Sequence, residues 1–202
     1  MDVHGRIADL RDKQVEIATD YGKTSDQRES AIQAVAGDIT KHIYRRLQDA
    51  LKWSAVDGNL HMYGRQLPSN LKVYNLTPLS RRHDMREVID KQMAAMAVDW
   101  KNILSKLPGF DDVDEDERPK APVVFGFFIY KHILFIVTSN ASDPEATAHI
   151  SIQLNMGEKN QHQWNSLAIM LTICWARDIL MKKAAEMKLQ PVRPKTSSDP
   201  DA

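Results

Sequence analysis

The sequence predicts an α+β fold, and three observations carry that prediction. Two long stretches repeat apolar residues at three- and four-residue steps, which puts them on one face of a helix. Two short runs, "APVVFGFFIY" and "ILFIVTS", are β-branched or aromatic nearly throughout, as strands buried on both faces are. A last apolar stretch, over 161–188, has the length of a helix and no period-two alternation. The expected architecture is a mostly antiparallel sheet of about four strands flanked by four long helices, in one domain over 1–188. Residues 1–58 form its helical amino-terminal part, 70–188 a strand-helix-strands-helix core, and 189–202 a polar, disordered tail.

The elements follow in order. Residues 2–22 are polar and read as a helix, after which Thr24-Ser25-Asp26-Gln27 has the form of a capping box. Ile32, Val35, Ile39, Ile43, Leu47, Ala50 and Leu51 then make one apolar stripe over 26–54, ended by Asp57-Gly58-Asn59. Within the mixed segment 59–70, "LHMYG" reads as a short strand. Residues 71–77 form a clearer one, stopped by Pro78. Met85, Val88, Ile89, Gln92, Met93, Met96, Trp100, Ile103, Leu104 and Leu107 give a second long amphipathic helix over 80–107, which Pro108-Gly109 ends. Lys131-His132, between the two apolar strands, is a poor primed-turn pair, so a longer or bulged turn is expected there. "AHISIQLNM" is a third strand of this group. Asn160 with Gln163 is expected to cap the last helix, whose apolar residues on nearly every side imply burial between the sheet and other helices.

Composition narrows the function classes. Twenty-seven basic and 27 acidic residues cancel, so no global field draws the chain to nucleic acid or an anionic membrane. The run "DDVDEDERPK" (111–120) reads as a solvated loop whose sign repels a phosphate backbone. Cys174 is the single cysteine and sits in an apolar neighbourhood, which excludes an internal disulfide and argues against a reactive thiolate. The charged amino terminus lacks the apolar core of a secretion signal, and no stretch has the apolar length of a membrane span. An intracellular location, cytoplasmic or nuclear, is expected.

Quoted as they stand, "KVYNLT", "DKQMAAMAVDWKNIL", "APVVFGFFIYKHILFIVT" and "HQWNSLAIMLTICWARDIL" resemble, in order and spacing, the fungal PD-(D/E)XK nuclease-like domains over about 70–182. The resemblance implies a restriction-nuclease-like core. It places Gln92 at the family's helix glutamine, Pro122 at its strand-opening proline and His132 at its hairpin histidine, while Met96 stands where the family has Trp and Lys131 where it has Gly. It also implies a catalytic Glu-x-Lys where this chain has Asn75 and Thr77. A phosphodiesterase site needs carboxylates to hold Mg²⁺ and a lysine beside them, and two neutral side chains do not supply these. The family's activity is therefore expected to be lost, leaving a degenerate site around Tyr74, Asn75, Thr77 and Gln92.

Other chemistry is thinly represented. "YGKTS" lacks the first glycine of a phosphate loop, Ile17 standing in its place. No two of the seven histidines have helical i, i+4 spacing, so no metal site is expected, and no cofactor. Arg81, Arg82 and Arg86 cluster near a helix start as candidates for an anion or partner contact, with His83 and Asp84 beside them as an acid–base pair. Three function classes survive. The first is a non-catalytic binding or protein-interaction module, with the amino-terminal helices as a self-association surface. The second is a repurposed enzyme of cyclase or isomerase type, acting on an apolar small metabolite in a Met- and aromatic-lined pocket. Nucleic-acid binding through the arginines ranks last, since the overall charge disfavours it.

Overall fold

The computed structural model describes residues 3–77, 85–107, 110, 114 and 118–192. Among them the chain forms helices α1 (Val3–Thr19), α2 (Ser25–Asp57), α3 (Met85–Leu104) and α4 (His162–Glu186), and strands β1 (Leu71–Asn75), β2 (Val123–Tyr130), β3 (Ile133–Asn140) and β4 (His149–Asn155). The α+β class is as expected. The sheet is open, with order β1-β2-β3-β4. It is mixed: β2 pairs antiparallel with β3 and β3 with β4, whereas β1 runs parallel to β2. The parallel pair follows from the connection, because α3 carries the chain back across the sheet before β2 begins.

Alternation along β2 divides the core in two. Phe125, Phe127 and Ile129 face one side, where they meet Ile39, Ile43 and Leu47 of α2 and Ile169 and Ile173 of α4. Val124 and Phe128 face the other, where Met93, Met96 and Trp100 of α3 cover them. Gly126 also faces α3, and a Cβ there would lie 2.3 Å from the Phe128 ring and 2.8 Å from the Met93 sulfur. The methionines of this face are thus packing atoms wedged against an aromatic strand.

Local signals explain most element ends. Thr24 caps α2 as the sequence predicts: its hydroxyl accepts from Gln27 N while Gln27 Oε1 accepts from Thr24 N. At the other end Asn59, not Gly58, takes the left-handed conformation, with φ 54°. Gly58 is needed for space, since a Cβ would meet the Arg177 side chain at 2.9 Å.

Four expectations are corrected. "LHMYG" is not a strand; Leu60–Gln66 forms 3-10 turns on either side of a kink at Gly64, whose positive φ of 52° breaks an extended run, and the partly buried Leu60 and Tyr63 pack against the α3-side core. Gln161, at the N-cap of α4, makes no side-chain cap bond, because a 3-10 turn at Lys159–Gln161 runs directly into the helix. The β2–β3 turn has two residues, with Tyr130 paired to Ile133, and Lys131 adopts φ 55° without being glycine. Finally, α4 is not enclosed. Its inner face (Asn165, Ile169, Thr172, Ile173, Ala176, Leu180) is buried, while Trp164, Leu167, Leu171 and Trp175 on the outer face are in solvent. The acidic run lies mostly outside the described residues. Of the predicted tail, Leu189 packs against the α3-side core and Val192 N donates to Met62 O at 2.7 Å.

Candidate functional site

The end of β1 explains why a two-residue turn tolerates Lys131. Asn75 Oδ1 accepts from Thr77 N at 2.9 Å, an Asx turn that closes the strand. Thr77 is thereby held beside the β2–β3 turn, where its Oγ1 accepts from Lys131 N at 3.0 Å and lies 2.9 Å from Thr40 Oγ1. Thr40 is buried in α2, and its hydroxyl lies 3.0 Å from Ala36 O and 3.2 Å from Lys131 O. A hydroxyl has one proton. With Thr40's directed at a carbonyl, Thr77 must donate to Thr40 while accepting from Lys131. Two threonines therefore grip both sides of Lys131, offsetting the left-handed backbone there.

Tyr74 lies on the opposite face. Its ring stacks on Phe128 with centroids 4.7 Å apart. Burial, with Asp99 adding to it, pushes its hydroxyl up to about 12, so it stays protonated at neutral pH. Asp99 itself bonds Lys72 at 2.9 Å. Gln92 is half-buried on α3. The sheet thus joins Asn75 and Thr77 but separates them from Tyr74, and four cavities formed by described residues are lined by none of these four side chains. His132 is half-buried, and its imidazole is held below the ordinary value by burial, then by Arg11 and Lys131.

Arg86 has an architectural position. Its guanidinium bonds Asp90 at 2.7 Å and Ala148 O at 2.6 Å, while Asp90 accepts from Ala148 N at 3.3 Å. Together they tie α3 to the start of β4. Arg81, Arg82, His83 and Asp84 lie outside the described residues. Among the described residues, no group of three His, Cys, Asp or Glu side chains is arranged to hold a metal ion, and no helix is long and apolar enough to cross a membrane.

Two features emerge that sequence reasoning did not single out. The outer face of α4 exposes Trp164 (72%), Leu171 (60%), Trp175 (59%) and Leu167 (48%). Trp175 rests edge-on against Phe125 at 5.3 Å, which fixes its ring at the surface. Its signal was legible as the uncharged run from Trp164 to Ala176. The second feature is Asn70, fully buried just before β1, with Oδ1 unpartnered among the described residues. Nothing in the sequence distinguishes it from an ordinary loop asparagine. Comparisons with protein-family models, curated proteins and solved structures find no match to the chain.

Proposed function

We propose that the protein is a non-catalytic interaction module on a degenerate nuclease-like core, and that it self-associates through the outer face of α4. Asn75 and Thr77, at the positions where the resembling family keeps its catalytic pair, are both neutral; Asn75 Oδ1 is engaged in closing β1 and Thr77 Oγ1 in holding Lys131. This employment supports a structural use of the old site.

The observation that carries the reading is the α4 surface. With Met170 and Met181, its four large side chains leave on the order of 600 Å² of apolar area in solvent, on the scale of side chains that bury 150–250 Å² each. That is at the upper end of a monomer's largest patch and approaches the ~800 Å² per partner of a stable dimer. A second copy of this chain is the occupant that the pattern fits. Trp164, Leu167, Leu171 and Trp175 read aromatic, leucine, leucine, aromatic from either end, so two antiparallel α4 helices related by a twofold axis set Trp164 near Trp175 of the second copy. The same face carries no charge from Trp164 to Ala176, leaving no ion to desolvate at its centre.

Sedimentation velocity across low- to high-micromolar concentrations tests this. The wild type is expected to dimerise with concentration, and Leu171→Glu to remain monomeric with an unchanged circular dichroism spectrum. A wild type that stays monomeric throughout overturns the assignment.

A further inference from the structure

A half-open groove of about 200 Å³ runs between α2 and α4. The buried Ile43, Leu47 and Ile169 form its floor, and the less buried Arg46, Ala50 and Met170 its rim. Among the lining residues only Arg46 is charged, and its side chain is exposed, so the hollow is apolar and holds no buried ion. Met170 belongs both to this rim and to the exposed side of α4, which makes the groove and the α4 face one continuous surface. Area argues that the face is not the whole of a contact. Its apolar area, on the order of 600 Å², falls about 200 Å² short of what each partner in a stable dimer gives up. The remainder has to come from a neighbouring element, and α2 is the one that the groove joins to α4. Trp53, half-exposed, stands two turns after Arg46 on the same side of α2.

We propose, building on the self-association of α4 described above, that the groove of each copy receives Leu171 of the other. The twofold axis that brings Trp164 opposite Trp175 is centred between Ile169 and Met170, which sets Leu171 of the second copy level with Ala168. Ile169 and Met170 border that level, so the groove is the hollow beside the incoming side chain. It acts as a hole for a knob, lying between two helices and open to a third. A branched aliphatic side chain suits the lining, whereas a charged one would lose its water to isoleucine and leucine. The contact is isologous and is therefore made twice, tying α2 of one copy to α4 of the other.

Sedimentation velocity on groove variants separates this contact from the α4 face. Ala50→Phe fills the groove from α2 and leaves the outer face of α4 as it is. It is expected to raise the dimer Kd about ten-fold or more, the scale of one leucine kept out of an apolar site, with an unchanged circular dichroism spectrum. Leu171→Ala is expected to do the same, and Ala50→Phe with Leu171→Ala to lose no more than either change alone, since both remove one contact. If Ala50→Phe does not fold, a mixture of Ala50→Cys and Leu171→Cys chains, each with Cys174→Ser, decides: mild oxidation is expected to give the mixed disulfide, identified by its mass. A wild type that stays monomeric removes the α4 reading and this inference with it. A wild type that dimerises while folded Ala50→Phe dimerises equally well leaves the α4 reading standing and overturns the groove contact, as do losses that multiply in the double variant or an absent mixed disulfide.

Discussion

Replacing Thr77 with valine isolates the threonine grip on the β2–β3 turn, because the side chain keeps its shape and loses only the hydroxyl. Two interactions disappear: the bond from Lys131 N at 3.0 Å and the contact with Thr40 Oγ1 at 2.9 Å. An intramolecular hydrogen bond contributes about 0.5–1.5 kcal/mol net, and a buried donor left unpaired costs about 1–3 kcal/mol. Thr77 and Lys131 are half-buried, so water partly replaces the lost partner, and Thr40 keeps its carbonyl acceptors. The expected loss is about 2 kcal/mol, read as a lower urea midpoint with unchanged slope. Lys131→Gly in the Thr77→Val background is expected to restore part of it, since glycine adopts φ 55° without the Cβ penalty. A loss under about 0.5 kcal/mol for Thr77→Val, on the scale of an ordinary surface substitution, refutes the idea that these hydroxyls hold the turn.

Two further outcomes follow from packing and protonation. Gly126→Ala places a methyl 2.3 Å from the Phe128 ring and 2.8 Å from the Met93 sulfur, and overpacking of this kind costs about 1–3 kcal/mol; a denaturation midpoint equal to that of the wild type would show that α3 moves aside freely. His42 and His132 are both held below the ordinary 6.5, by burial first and then by neighbouring cations. The unfolded chain therefore binds protons at higher pH than the folded one, and stability is full above about 6.5 and falls as pH drops through the depressed folded values. Melting temperatures of wild type and a His42→Gln/His132→Gln double variant should diverge in slope below that pH, with parallel curves contradicting the assignment.

Where local chemistry and burial agree, the sequence was readable. The Thr24–Gln27 box, the α2 stripe and the two apolar central strands formed as the residues demanded. The parallel β1–β2 pairing was implicit in the predicted order strand, helix, strand, since a helical crossover returns the chain to run parallel, and the expectation of a mostly antiparallel sheet passed over that connection. The Lys131 turn was misjudged on propensity alone, since the compensating hydroxyls come from Thr40 and Thr77, remote in sequence. α4 was misread for a different reason: apolarity all round a helix is compatible both with burial and with an unpaired face, and periodicity does not separate them. Of the candidate residues, Asn75 and Thr77 do meet, Tyr74 lies across the sheet from them, and Asn70 came to notice only once its burial and its two carbonyl partners were in place.

The parallel strand also bears on how the sheet assembles. β2, β3 and β4 follow one another through short connections, and their pairing closes small loops. β1 has no such neighbour: Leu71 finds Phe125 only after about fifty intervening residues have been placed, and the entropy of closing a loop grows with its length. During synthesis the strand therefore emerges with its backbone donors and acceptors unanswered. It waits for the meander to present an edge.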